Sequence, residues 1–333
     1  GYEYRVGSGR WQTSPVFTGL SPATTYVFYQ RIAATASSNA SPASAGLSVT
    51  TEKSTPQAAP QPVRKSVSDS TVTLQTVAGC EYRMKGGSWQ SSPEFTGLSP
   101  ATSYTFYQRY AATSQSYAGA SSGGLIVVTS KKATDAPEAP EAQEVYADCV
   151  VLKAVSGYEY RMEGGSWQSG VTFTGLSPAT TYVFYQRRAA TSTTLPSAES
   201  AGCRITTPKR SVSDPAAPVV RSKTSSSVTL VEIEGYEYRM GNGSWQTSPV
   251  FTGLSPATTY VFSQRIRETS DSLPSAESVR LQVTTEKNAG KTAPKPTVAA
   301  VTSTSVTLNA VSGCEYRVGN GAWQTSPLFE GLS

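Results

Sequence analysis

Gly97-Leu98-Ser99-Pro100-Ala101-Thr102-Ser103-Tyr104 carries the structural reading of this chain. With Thr in place of Ser103 it recurs complete as residues 19–26, 175–182 and 253–260, always 78 residues on. The flanking sequence keeps the same step. Tyr4-Arg5 returns as Tyr82-Arg83, Tyr160-Arg161, Tyr238-Arg239 and Tyr316-Arg317, and Trp11 returns as Trp89, Trp167, Trp245 and Trp323. Residues 11–28 and 245–262 are identical. An uninterrupted 78-residue period is too long for a solenoid repeat and large enough for a small domain with its own core.

Inside one period the pattern is that of β-structure. Thr71-Val72-Thr73-Leu74 and Glu81-Tyr82-Arg83-Met84 alternate polar and apolar with period 2, the mark of half-buried strands. Lys85-Gly86-Gly87, replaced by Gly241-Asn242-Gly243 in the fourth copy, is a tight hairpin turn because Gly and Asn tolerate positive φ. Strands bearing Trp89, Phe95, Tyr104 with Phe106, and Leu125 with Val127 follow. Six or seven short strands with Gly, Pro and Ser turns predict a β-sandwich. Alternation puts Val72, Leu74, Tyr82, Met84, Phe95, Leu98, Tyr104, Phe106, Leu125 and Val127 inward. No segment repeats apolar residues at helical spacing.

Composition excludes several functions. The 333 residues are 38% hydrophobic and only 15% charged, with 18 Tyr and no His. Without histidine, Ser-His-Asp and Cys-His nucleophiles and His-containing zinc sites are impossible. A net charge of +5 comes from Lys and Arg scattered among Asp and Glu, unlike the basic stripe of a nucleic-acid binder. No run of about 18 apolar residues is present to cross a membrane. Pro-rich stretches around Pro56–Pro62, Pro137–Pro140, Pro215–Pro218 and Pro294–Pro296 read as short, semi-rigid linkers that merge into an edge strand. The basic pairs Lys131-Lys132 and Lys209-Arg210 flank these linkers and are expected to be solvated.

The ordered set Ala59-Pro60-Gln61-Pro62-Val63, Ser70-Thr71-Val72-Thr73-Leu74, Gly97-Leu98-Ser99-Pro100-Ala101-Thr102-Ser103-Tyr104 and Leu125-Ile126-Val127-Val128-Thr129 resembles the fibronectin type III family. The resemblance implies tandem all-β sandwiches following one another like beads on a string. It implies that Tyr26, Tyr104, Tyr182 and Tyr260 are tyrosine corners, bonding back to the E–F corner backbone. The unit is shorter than is usual for the family, and Leu74 stands about where the family carries a strand B tryptophan. The phrases Tyr-Glu-Tyr, Gly-x-Trp-Gln and Phe-Thr-Gly-Leu-Ser-Pro are similar to those of tandem modules of Gram-positive surface proteins. That similarity implies an extracellular, wall-associated setting.

On this reading residues 1–53 are a partial module (strands C to G), 58–131, 136–209 and 214–287 are complete modules, and 292–333 is a partial module (strands A to E). The expectation is a window on a longer array, with completion of each partial module by a neighbouring chain as the alternative. Cys80, Cys149, Cys203 and Cys314 do not repeat in phase, so they are read as free thiols. Gln30, Gln108, Gln186 and Gln264 alternate inward, where a buried amide needs a partner; capping of loop backbone is preferred over a bulge that turns it out.

One surface patch recurs. Arg5, Tyr29 and Arg31; Arg83, Tyr107 and Arg109; Arg161, Tyr185 and Arg187; and Arg239 with Arg265 face away from the core on strands C and F, with Ser263 in the fourth tyrosine slot. The patch suits a glycan, a peptide or a neighbouring chain. Equally, Glu3, Glu81, Glu159 and Glu237 could pair with these arginines and simply stabilise an exposed sheet. No catalytic, cofactor or metal constellation is found. The functional expectation is a non-enzymatic stalk or filament-forming array at a bacterial cell surface. Its partners would be neighbouring repeats and copies of itself, with no nucleic acid and no membrane insertion. Adhesin repeats for host protein or glycan, and spacers of a secreted carbohydrate-active enzyme, are the alternatives.

Overall fold

The structure is a computed structural model that describes residues 1–332. The chain divides into two compact units, Gly1–Pro208 and Lys209–Ser333. All regular structure among the described residues is β.

In the first unit, β1 (Tyr2–Val6), β2 (Thr25–Ile32) and β3 (Leu47–Thr50) form one antiparallel sheet. The second copy supplies β4 (Arg64–Val67), β5 (Val72–Leu74), β6 (Cys80–Met84), β7 (Glu94–Phe95), β8 (Ser103–Tyr110) and β9 (Leu125–Val128). These make two three-stranded sheets, β4-β5-β7 and β6-β8-β9. The third copy repeats them as β10 (Ala142–Val145), β11 (Cys149–Leu152), β12 (Tyr158–Met162), β13 (Thr172–Thr174), β14 (Thr181–Arg188) and β15 (Cys203–Thr206). In the second unit come β16 (Val220–Lys223), β17 (Ser227–Leu230), β18 (Tyr236–Met240), β19 (Val250–Thr252), β20 (Thr259–Ile266) and β21 (Leu281–Thr284), then a last sheet of β22 (Val298–Val301), β23 (Ser305–Leu308) and β24 (Leu328–Glu330). In family letters the two sheets are A-B-E and C-F-G. The chain is a tandem array of fibronectin type III-like β-sandwiches.

The core lies between the two sheets because alternate residues of each strand point the same way. In the second copy Val72, Leu74, Tyr82, Phe95, Leu98, Phe106 and Val127 are buried together, with Met84, Tyr104, Leu125 and Cys80 packed against them. Those residues include all ten positions that alternation selects. The third and fourth copies repeat the cluster around Phe184 and Phe262. Phe95 and Phe106 stack across the sandwich at 4.7 Å between centroids.

Two tyrosines lock the corners in each of the second, third and fourth copies. The Tyr104 hydroxyl accepts the Ser99 N–H at 2.9 Å, and Tyr26, Tyr182 and Tyr260 repeat the bond at 2.8, 2.8 and 2.9 Å. Ala101 in that corner adopts φ 48°. A second corner is not legible from the family pattern. The fully buried Tyr82 accepts the Val77 N–H at 2.7 Å, and Tyr160 and Tyr238 do the same with Val155 and Ile233 at 2.6 and 2.7 Å.

Candidate functional site

The outer face of the β6-β8-β9 sheet is built by register. Arg83 pairs with Tyr107 and Glu81 with Arg109 across β6 and β8. The short return after the Gly86 turn bridges Gln90 to Tyr82, which sets Trp89 beside Arg83 on the outward side. The result is a stack. The Arg83 guanidinium lies 5.5 Å from the Tyr107 ring and 4.6 Å from the Trp89 ring, and the Arg109 guanidinium lies 4.3 Å from Trp89 as well. Glu81 Oε1 accepts from Arg109 Nε at 2.6 Å. Cation–π attraction holds each arginine to the indole, and the glutamate neutralises only the outer one.

The other copies repeat the stack with variations. Trp11 meets Arg5 (4.6 Å) and Arg31 (4.3 Å), Trp167 meets Arg161 (5.1 Å) and Arg187 (4.3 Å), and Trp245 meets Arg239 (4.6 Å) and Arg265 (4.5 Å). Glu3, Glu159 and Glu237 hold Arg31, Arg187 and Arg265. In the last copy Trp323 meets Arg317 alone at 4.5 Å and is 59% exposed. The structure therefore brings together every arginine and tyrosine of the sequence patch, with the expected Glu–Arg pairs. The tryptophans were missed, although counting back across the Gly86 turn would have placed them opposite the arginines.

The first arginine of each stack (Arg5, Arg83, Arg161 and Arg239, the inner arginines) differs between copies in what it bonds. Glu199 Oε2 accepts from Arg161 Nη2 at 2.6 Å and Nε at 3.2 Å, and Glu277 Oε2 accepts from Arg239 Nη2 alone. In the fourth copy the Ser263 hydroxyl, then the Arg239 guanidinium, keep the Glu277 carboxyl below the usual glutamate range. The first two copies have Ala43 and Ser121 where these glutamates stand. Among the described residues Arg5 and Arg83 have no hydrogen-bond partner, and their Nε atoms are buried.

A second recurrent arrangement joins linkers to loops. Lys53, Lys131 and Lys209 each donate Nζ to the carbonyl of Thr113, Thr191 or Thr269, at 2.9, 2.7 and 2.8 Å. The next residue forms a parallel bridge to the same loop: Ser54 with Ser116, Lys132 with Thr194, Arg210 with Ser272. Each bridge has two backbone bonds, for example Lys132 N–H to Thr193 O and Leu195 N–H to Lys132 O, both 2.9 Å. The basic pairs are thus not merely solvated, because the extended linker lies within reach of loop carbonyls. Though varied in sequence, the loops share one turn, with the Thr113 hydroxyl accepting the Ser116 N–H and its counterparts doing the same at Thr191 and Thr269. The inward glutamines anchor the other end of the linker. Gln108, Gln186 and Gln264 donate Nε2 to the carbonyls of Pro60, Glu138 and Ala216 at 2.8–2.9 Å. Gln30 is exposed.

All four cysteines are free thiols, and burial pushes Cys80 and Cys203 up. Among the described residues no three of His, Cys, Asp and Glu converge as a metal site, and no helix is long and apolar enough to cross a membrane.

No family model matches the chain, and no curated protein does. Among solved structures, the crystal structure of chicken CNTN1 FN1-FN3 domains is similar at 14% sequence identity, covering 70% of this chain and 100% of that one with a TM-score of 0.22. The fold assignment rests on the strand order and register described above.

Proposed function

We propose that this chain is a non-catalytic structural array, a stalk or filament-forming segment at a bacterial cell surface that spaces or projects other domains. Residues 58–131, 136–209 and 214–287 are its whole modules. The observation that carries the reading is the repeated linker clasp. At three successive linkers a lysine and its neighbour are bonded to the following loop in the same way. A glutamine grips each linker further along. A linker held at two points along its length is stiffer than a free one, which is what a spacer requires and a flexible tether lacks. The bacterial, extracellular setting is drawn from the similarity of the Gly-x-Trp-Gln and Phe-Thr-Gly-Leu-Ser-Pro phrases to Gram-positive surface modules.

Amide hydrogen exchange on the chain tests the reading. Ser54, Lys132 and Arg210 amides should exchange far more slowly than unfolded chain. Exchange at random-coil rates would remove the basis for a spacer. One observation favours a second reading, adhesion. Arg5 and Arg83 are left without an acceptor on an exposed sheet, and arrays of host proteins and glycans would reveal a ligand.

A further inference from the structure

We propose that Arg5 and Arg83, each held over a tryptophan and a tyrosine ring, are binding sites for the glutamate or aspartate carboxylate of an acidic polypeptide segment. This goes beyond the spacer role. The Arg83 guanidinium lies over two rings, Trp89 at 4.6 Å and Tyr107 at 5.5 Å. Arg5 is held likewise by Trp11 at 4.6 Å and Tyr29 at 5.2 Å. Guanidinium N–H groups point outward in the plane of the group, so an arginine held over aromatic rings still presents that edge, which matches a carboxylate better than any neutral acceptor.

The same chain shows what the edge accepts. Arg161, stacked on Trp167 and Tyr185, takes one oxygen of Glu199 on both Nη2 and Nε. Arg239 takes Glu277 in the same place. These glutamates sit 38 residues after their arginines, on the segment leading into β15 and β21. At that position the first two copies carry Ala43 and Ser121, which cannot neutralise an arginine. The nearby outer arginines are already occupied, Arg31 by Glu3 and Arg109 by Glu81. In the first two copies the guanidiniums of Arg5 and Arg83 are therefore the unneutralised charges of the stack. The buried Nε is left without an acceptor there and on Arg239 alike, so the difference between copies lies in the terminal nitrogens that Glu199 and Glu277 engage. Because a protein glutamate fills the site in two copies, a glutamate borne by another polypeptide is the occupant the geometry favours for the other two.

The experiment is a titration of the full chain, labelled with ¹⁵N at arginine, followed at the Nε resonances. The probes are a short end-blocked peptide with one central glutamate, its glutamine counterpart, and glucuronate. The glutamate peptide should shift Arg5 and Arg83 saturably, the glutamine peptide should not, and Arg161 and Arg239 should stay in place. Ser121→Glu, which copies the third and fourth copies and so tolerates folding, should silence Arg83 and leave Arg5 responsive. Glu199→Gln should make Arg161 responsive. No saturable shift at Arg5 and Arg83, or an equal response to the glutamine peptide, overturns the site. A response to glucuronate alone overturns the polypeptide assignment in favour of an acidic glycan. An Arg83 response that survives Ser121→Glu overturns its location.

Discussion

Tyr107 lies so close to Gly124 that a Cβ there would meet the ring's Cε1 at 3.1 Å. Gly46 faces Tyr29 at 3.3 Å and Gly202 faces Tyr185 at 3.1 Å. The fourth copy changes both partners at once, with Ser263 in the tyrosine slot and Arg280 in the glycine slot. The Thr105 methyl is nearer still to Gly124, at 2.7 Å, but the fourth copy keeps a β-branched residue, Val261, at that position, so of the two neighbours only the tyrosine is replaced by a smaller side chain. Arg280 then sits 3.5 Å from Glu277, the residue that holds Arg239.

That coupling is measurable in the second module. Gly124→Arg alone should cost about 1–3 kcal/mol by overpacking. Adding Tyr107→Ser should recover at least about 0.5 kcal/mol beyond additivity. Urea melts of the two single variants and the double variant make the comparison, and strict additivity would show that the ring is not what requires glycine.

Ala101 is held at φ 48°, where an L side chain crowds the following carbonyl. Its conformation is imposed by the corner, in which Thr129 Oγ1 donates to Ser99 O at 2.7 Å and accepts the Thr102 N–H at 2.9 Å. Ala101→Gly should therefore stabilise the module by about 0.5–1 kcal/mol, in contrast to the usual cost of glycine. A lower urea midpoint for the glycine variant would contradict the strain.

The two tyrosine corners should differ in strength. Tyr82 is fully buried and Tyr104 only partly so. Tyr104→Phe frees an exposed Ser99 N–H that water can satisfy, and should cost about 1 kcal/mol. Tyr82→Phe strands the Val77 N–H in a drier setting and should cost about 1–3 kcal/mol. Equal losses, or the reverse order, would refute this ranking.

Acid should weaken the fourth copy through Glu277. Its carboxyl titrates below the usual glutamate range, chiefly because Ser263, and then Arg239, bond to the ionised form. A carboxyl depressed on folding contributes above its unfolded value and loses that contribution as pH falls through the folded one. The stability gap between the chain and Glu277→Gln should be full at neutral pH and close below about pH 4.5. A gap that stays constant down to pH 2 would rule out the ion pair as its source.

Much of the fold was legible because its determinants are local. Alternation along Val72-Thr73-Leu74 and Glu81-Tyr82-Arg83-Met84 fixes which side chains face inward whatever the strands pair with. The Tyr104 corner closes on a residue five positions back, within one turn of chain. The candidate site was only half legible. Arg83, Tyr107 and Arg109 follow from alternation, whereas Trp89 joins them only through the register that bridges Tyr82 to Gln90.

Local order in the chain thus settles the 78-residue unit, its strands, its inward face and its corners, since each depends on neighbours a few residues apart. Folding in three dimensions settles which arginine is neutralised and which is not, and where the linkers are held. Glu199 reaches Arg161 across 38 residues, and Lys131 reaches Thr191 across 60. Contacts of that separation exist only once strands from distant parts of the chain lie side by side, and no periodicity in the sequence encodes that placement.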